Sequence, residues 1–254
     1  MTLNSEGIDA LFMDLAQLTG KKPGRLVRER SGAVARYFAE ATYPRGKDLA
    51  AKQEGQAAVW RDVGSVYIGP SSTYKYLVNE HGRKVAGAFY AKLKNGDLAG
   101  ARAMLQKLGL SAGRLSLMEW DDGALHRKMR NSRGRVNRGV KPVIVSDAKS
   151  LKAYFKKIVK RVGWAKSGWI TAARAIPGAK IGALPVWMKQ PAPGRGIDRT
   201  QGADDPHVAL FNDVKYLDDL VPQRAIDGAQ DDFEKSLLKE IEKVTEYLRR
   251  KHAA

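Results

Sequence analysis

The sequence predicts an α+β fold: a small mixed or antiparallel sheet packed with helices, plus a helical insertion and a long basic loop. Three observations carry that expectation. Apolar residues recur at helical spacing over most of the chain. Only short runs, Val66-Tyr67-Ile68, Val143-Ile144-Val145 and His207 to Asn212, read as extended segments. A stretch rich in Arg, Asn and Gly immediately precedes the second of them.

Ile8, Leu11, Phe12, Leu15 and Leu18 mark a helix over 7–19, which Lys21-Lys22-Pro23-Gly24 ends. A second helix over about 25–42 carries Leu26, Val34, Phe38 and Ala41, with Tyr37 beside them. Tyr43-Pro44-Arg45-Gly46 stops it, because Pro lacks an amide donor and disfavours helix in the residue before it. Residues 47–63 resume a helical pattern with Leu49, Ala50, Ala57, Val59, Trp60 and Val63. Residues 71–121 read as a helical insertion into a core domain formed by 1–70 and 122–254. Within it, Leu98, Ala101, Met104, Leu105 and Leu108 form an amphipathic stripe, with Asp97 at the N-cap and Gly109 just past the end.

Residues 127–141 read as a mobile basic loop. Leu151, Phe155, Ile158, Val162, Ala165, Trp169, Ala172, Ala173 and Ile176 then predict one helix over 147–176, capped by Ser146 or Asp147 and stopped by Pro177-Gly178. Pro191-Ala192-Pro193-Gly194 reads as a loop. The last helix, 229–251, carries Phe233, Leu237, Leu238, Ile241, Val244, Tyr247 and Leu248. Asp231, Asp232 and Glu234 near its start, and Arg249, Arg250 and Lys251 near its end, complement the helix dipole.

The 254 residues include 45 Lys and Arg against 27 Asp and Glu, a formal net charge of +18, and no Cys. Without Cys there is no disulfide framework, thiolate zinc site, iron–sulfur cluster or Cys nucleophile. No apolar run approaches the ~20 residues that span a bilayer. The first twenty residues hold Glu6, Asp9 and Asp14 and no basic residue, unlike a secretory leader. The charge is uneven: residues 197–254 hold 13 acids and 9 bases, so the rest of the chain is strongly basic. The densest patch is Arg127, Lys128, Arg130, Arg133, Arg135, Arg138 and Lys141, with no acid among them. Such a block asks for water or an acidic partner, whether nucleic acid or a protein face.

Catalytic constellations are sparse. His81, His126, His207 and His252 include no i, i+4 pair, so the metalloprotease helix signature is missing, and each reads as a surface or satisfied histidine. Of the acidic pairs Asp121-Asp122, Asp204-Asp205, Asp218-Asp219 and Asp231-Asp232, adjacent carboxylates on a helix point apart and Asp231-Asp232 reads as a helix cap, while Asp204-Asp205, in a loop before Pro206, leaves a metal site as the minor alternative. Gly194-Arg195-Gly196 lacks the third glycine of a dinucleotide fingerprint. Trp164, Trp169 and Trp187 read as core residues rather than base-stacking platforms. No catalytic residue, metal ligand or cofactor is assigned.

Three stretches together resemble the neck and tail-completion proteins of tailed bacteriophages. The first is Val34 to Gly46, where Thr42, Pro44 and Gly46 fit a Thr-x-Pro-x-Gly turn, followed by Gly55 to Trp60 and Val66-Tyr67-Ile68. The second is Val208 to Leu217, a strand ending in Asn212 with an aromatic shortly after. The third is the final helix, 229–251. Gly163 to Ala175, with Trp187 after Pro185, is similar to a further pattern in such proteins. The resemblance implies a structural α+β virion subunit, assembled in the host cytoplasm as a homo-oligomeric ring. Its neighbours would be other virion proteins on the portal side and the tail side, with packaged DNA as a further contact, no membrane and no active site. The basic patch 127–141 is then the expected partner-binding element. The alternative is a nucleic-acid-binding protein using that patch and the Lys-rich helix 147–176.

Overall fold

The computed structural model describes residues 6–110, 116–131, 135–201, 206–215, 217 and 221–252. Its elements are α1 (Glu6–Thr19), α2 (Pro23–Ala41), α3 (Leu49–Gly64), β1 (Tyr67–Ile68), α4 (Pro70–Lys94), α5 (Leu98–Lys107), β2 (Ser116–Met118), α6 (Ala124–Lys128), β3 (Val143–Val145), α7 (Ala148–Val159), α8 (Trp164–Arg174), β4 (Gly194–Arg199), β5 (His207–Asn212) and α9 (Gln223–His252). The α+β class is as the sequence predicts. The chain forms two compact units, Met1–Glu54 with Val162–Ala254, and Gly55–Arg161. The second unit is wider than the expected insertion 71–121. β1 and β3, assigned from the sequence to the core, pair instead with β2 inside this unit.

In the first unit, α2 and α8 pack around Phe38, Ala39, Trp169, Ile170 and Met188, with the Phe38 and Trp169 rings 5.2 Å apart. Leu15, Leu26, Phe233 and Leu237 join α1, α2 and α9 in a second cluster. Each such buried side chain contributes roughly 2 kcal/mol. β4 and β5 form an antiparallel pair from Gly194 opposite Asn212 to Arg199 opposite His207. This pairing corrects the loop reading at Gly194, whose residue supplies packing space. A Cβ on Gly194 would collide with the Gly168 carbonyl oxygen, and one on Gly196 with that of Ala172. Glycine is needed there because helix and strand backbones touch.

Two charged groups organise this unit. The Lys166 ammonium is fully buried and donates to the carbonyls of Ala39 at 2.6 Å and Gly46 at 2.9 Å, with that of Glu40 at 3.4 Å. Burial pushes it down to about 7, against the opposing pull of the Glu40 charge. Glu29 is buried in α2 and is held by Lys21 at 3.0 Å, Arg25 at 3.0 Å and Lys180 at 3.1 Å. The Lys21 hydrogen bond leads in lowering its carboxyl to about 2, outweighing burial. The backbone also closes here: Lys180 N–H donates to the Glu29 carbonyl, and Gly32 makes room for Lys180 and Ile181.

The second unit holds a parallel sheet in the order β1-β3-β2. Leu77, Ala86, Phe89, Leu93, Ala101 and Leu105 pack α4 and α5 together beneath Leu117 and Ile144. α4 breaks at Gly82, where φ is 84°. Asp97 caps α5 through Gly100 N–H at 2.8 Å, and Asp147 caps α7 through Ser150 N–H at 2.9 Å. The single helix expected over 147–176 is two helices. Lys160 to Gly163 interrupt it, with Gly163 at φ 90° against the Trp187 carbonyl. The apolar spacing of 3 and 4 runs through this break, so periodicity alone hides it.

Substitution of Gly194 by Ala is expected to cost about 3 kcal/mol in denaturant unfolding, since a helix backbone must move. Gly87→Ala, in open space on α4, is expected to add roughly 0.5–1 kcal/mol. Glu29→Gln is expected to lose ~1–2 kcal/mol at pH 7, a value reduced because its partners reach in from solvent. Because the folded pKa of Glu29 is depressed, the wild-type contribution is complete above pH 4.5 and fades as pH falls toward 2. The Gln variant should show a flatter acid limb over that window.

Candidate functional site

The basic patch begins on α6 and returns toward β3. Its foot is a buried histidine. His126 is 1% exposed, with Nε2 2.9 Å from Asp62 Oδ2 on α3 and Nδ1 2.9 Å from Tyr154 Oη on α7. Its backbone N–H donates to Tyr67 Oη at 3.0 Å, and that hydroxyl donates to Asp121 Oδ1 at 2.8 Å. Asp121 in turn accepts the N–H groups of Gly123 and Leu125, which fixes the start of α6. α3 and α7 thus meet the imidazole, and β1 meets the backbone N–H of the same residue.

Asp62 also accepts the Val136 N–H at 3.2 Å and pairs with Arg130 at 3.8 Å. Burial pushes its carboxyl up, yet the His126 hydrogen bond, the Arg130 charge and the Val136 N–H outweigh that and hold it below the usual range. Burial raises both tyrosines, that of Tyr154 against the charges of Arg127, Arg130 and Arg161. Both hydroxyls therefore stay protonated at neutral pH and serve as hydrogen-bonding struts.

Above this foot the described residues of 127–141 are tied by backbone pairing where the sequence predicts a loop, and 132–134 lie outside the described residues. Arg130 and Val136 form an antiparallel bridge, Asn131 N–H donates to the Arg135 carbonyl at 2.8 Å, and Asn137 N–H to that of Met129 at 2.9 Å. Met129, Val136 and Val140 pack beside Tyr154 and Phe155. These three apolar residues are the sequence signal, masked by the charges between them.

Arg127, Lys128, Arg130, Arg135, Arg138 and Lys141 are exposed, and Arg133 lies outside the described residues. Arg127 donates to the Asp122 carbonyl at 2.9 Å. Arg161, just past α7, is also exposed. Asp62, Tyr67, Asp121 and Tyr154 were not legible as site residues. Asp62, Tyr67 and Tyr154 lie 28 to 64 residues from His126, and none of the four carries a local motif.

Comparison with family models, curated proteins and solved structures finds no match to this chain. Chemistry must therefore be read from geometry. His126 has both ring nitrogens engaged and is buried, so it supports the patch rather than facing a substrate. Among the described residues, no group of three His, Asp or Glu is arranged to hold a metal. Asp204-Asp205 and Asp218-Asp219 lie outside them.

Asp62→Ala is expected to destabilise the second unit by about 3 kcal/mol, since it strands the His126 and Val136 donors. The Val136 amide should lose hydrogen-exchange protection. Arg138→Glu, exposed and outside this network, should change stability by less than ~0.5 kcal/mol.

Proposed function

We propose that this chain is a non-enzymatic virion subunit of a tailed phage, of the head–tail connector, tail-completion or tail-terminator type, assembling as a ring. The observation that supports this reading is where the resembling residues meet. Thr42 accepts a hydrogen bond from Trp169 at 3.1 Å, and Gly46 receives Lys166. Asn212 donates to the Ala165 carbonyl at 2.7 Å and packs on Gly168. Trp187 lies against Gly163. Residues quoted from separate stretches therefore gather around α8, in positions that brace the first unit. Their work is architectural, as a brick-like subunit requires.

The exposed basic patch then supplies the partner surface, on a portal-side or tail-side neighbour or on packaged DNA. A fixed positive face suits an acidic protein rim, where complementary charge sets orientation and encounter rate. The rival reading, a free nucleic-acid binder, draws support from the exposure of Arg127, Lys128, Arg130, Arg135, Arg138 and Lys141 with no acid among them.

Combined reversal of Arg127, Arg135 and Arg138 to Glu tests both. The ring reading expects defined oligomers of the native chain in negative-stain images and light scattering. The variant should fail to assemble while keeping its circular dichroism. A chain that stays monomeric with its neck partners present, yet binds duplex DNA with a steep salt slope lost in the variant, would favour the rival.

A further inference from the structure

A groove in the second unit has no role in the proposed ring, and its assignment stands or falls separately. It lies at the carboxyl end of β1 and has a volume of about 670 Å³, within the range of small-ligand sites. Trp60 comes from α3, Ser71, Ser72 and Tyr76 from α4, and Lys152 and Phe155 from α7. Trp60 stacks on Phe155 with centroids 4.0 Å apart and planes 21° apart, yet stays 52% exposed. Phe155 is buried, so it backs the indole and presents it to the groove. Tyr76 is 38% exposed beside the same space. Lys152 is the one charged side chain among the described lining residues, and neither an acid nor a histidine joins it.

Flat aromatic surface and a lone cation ask for a ligand that is planar at one end and anionic at the other. We propose that this groove binds a free nucleotide, its base stacked on Trp60 beside Tyr76 and its phosphate held by Lys152 and the Ser71 and Ser72 hydroxyls. A purely apolar ligand would leave the ammonium unused, whereas a base accepts the ring face and a phosphate the charge. The indole is already oriented by Phe155, so binding does not have to order it. With no carboxylate or imidazole in the described lining, no general base stands near the phosphate.

Titration of the full chain with AMP, ADP and adenosine, followed by calorimetry and tryptophan fluorescence, tests this. ADP should saturate with a Kd on the order of 10–1000 μM. Lys152→Glu, on an exposed position, should weaken ADP about tenfold or more and leave adenosine unchanged. Trp60→Ala should weaken both about tenfold. Tyr76→Ser, which leaves the Trp60–Phe155 stack in place, should weaken both by a smaller factor. Three results would overturn the assignment: no saturation by either nucleotide at about 10 mM, ADP binding indifferent to Lys152→Glu, or binding of single-stranded oligonucleotides without binding of free nucleotides.

Discussion

One buried ammonium holds the first unit together. The last carbonyls of a helix have no partner within it, and at the end of α2 two of them, from Ala39 and Glu40, face Lys166. The turn after α2 contributes the Gly46 carbonyl. Three acceptors meet the three protons of one cation, at the negative end of the α2 dipole. The Trp187 ring stands 5.6 Å from the same nitrogen. Desolvation makes this lysine expensive to bury, and the acceptors make it expensive to remove. Lys166 therefore ties α2 and its terminal turn to α8, beside the Trp169–Thr42 hydrogen bond and the Phe38–Trp169 contact.

How far the sequence reveals this depends on the range of the interaction. The α1, α3 and α5 helices, the Asp97 and Asp147 caps and the Gly109 terminus are local and follow from spacing and capping chemistry. The α7–α8 break does not, because a glycine at positive φ interrupts the helix without disturbing the apolar stripe. β4 stayed hidden because Gly194 and Gly196 look like loop residues, and only a helix backbone against them explains their choice. The same limit applies to Lys166. Among many lysines it differs only in sitting between Trp164 and Trp169 in a run of small residues.

The basic patch shows this most clearly. Composition located its charges, and six of the seven fall on described, exposed positions. What composition missed is the anchoring beneath them: His126 is joined to Asp62 across 64 residues. A solvated loop and a braced surface share one charge pattern. They differ in the apolar residues interleaved with it, Met129, Val136 and Val140, which pack against the buried cluster of Val63, Tyr67, Val145 and Tyr154. The distinction matters for any binding, because a braced surface has already lost the conformational freedom that docking would otherwise remove.

The contact of α8 with the β4–β5 pair has a separate implication. The α8 backbone sets the spacing at Gly194 and Gly196, and the Asn212 side chain fills the space left by Gly168. The outward residues pack against none of the α8 backbone and meet one another across the ribbon instead. Arg195 lies over the Phe211 ring at 5.1 Å and grips Asp213 at 2.8 Å, all at the surface. Substitutions on that outer face therefore change its charge and shape while its mount keeps the same position and register.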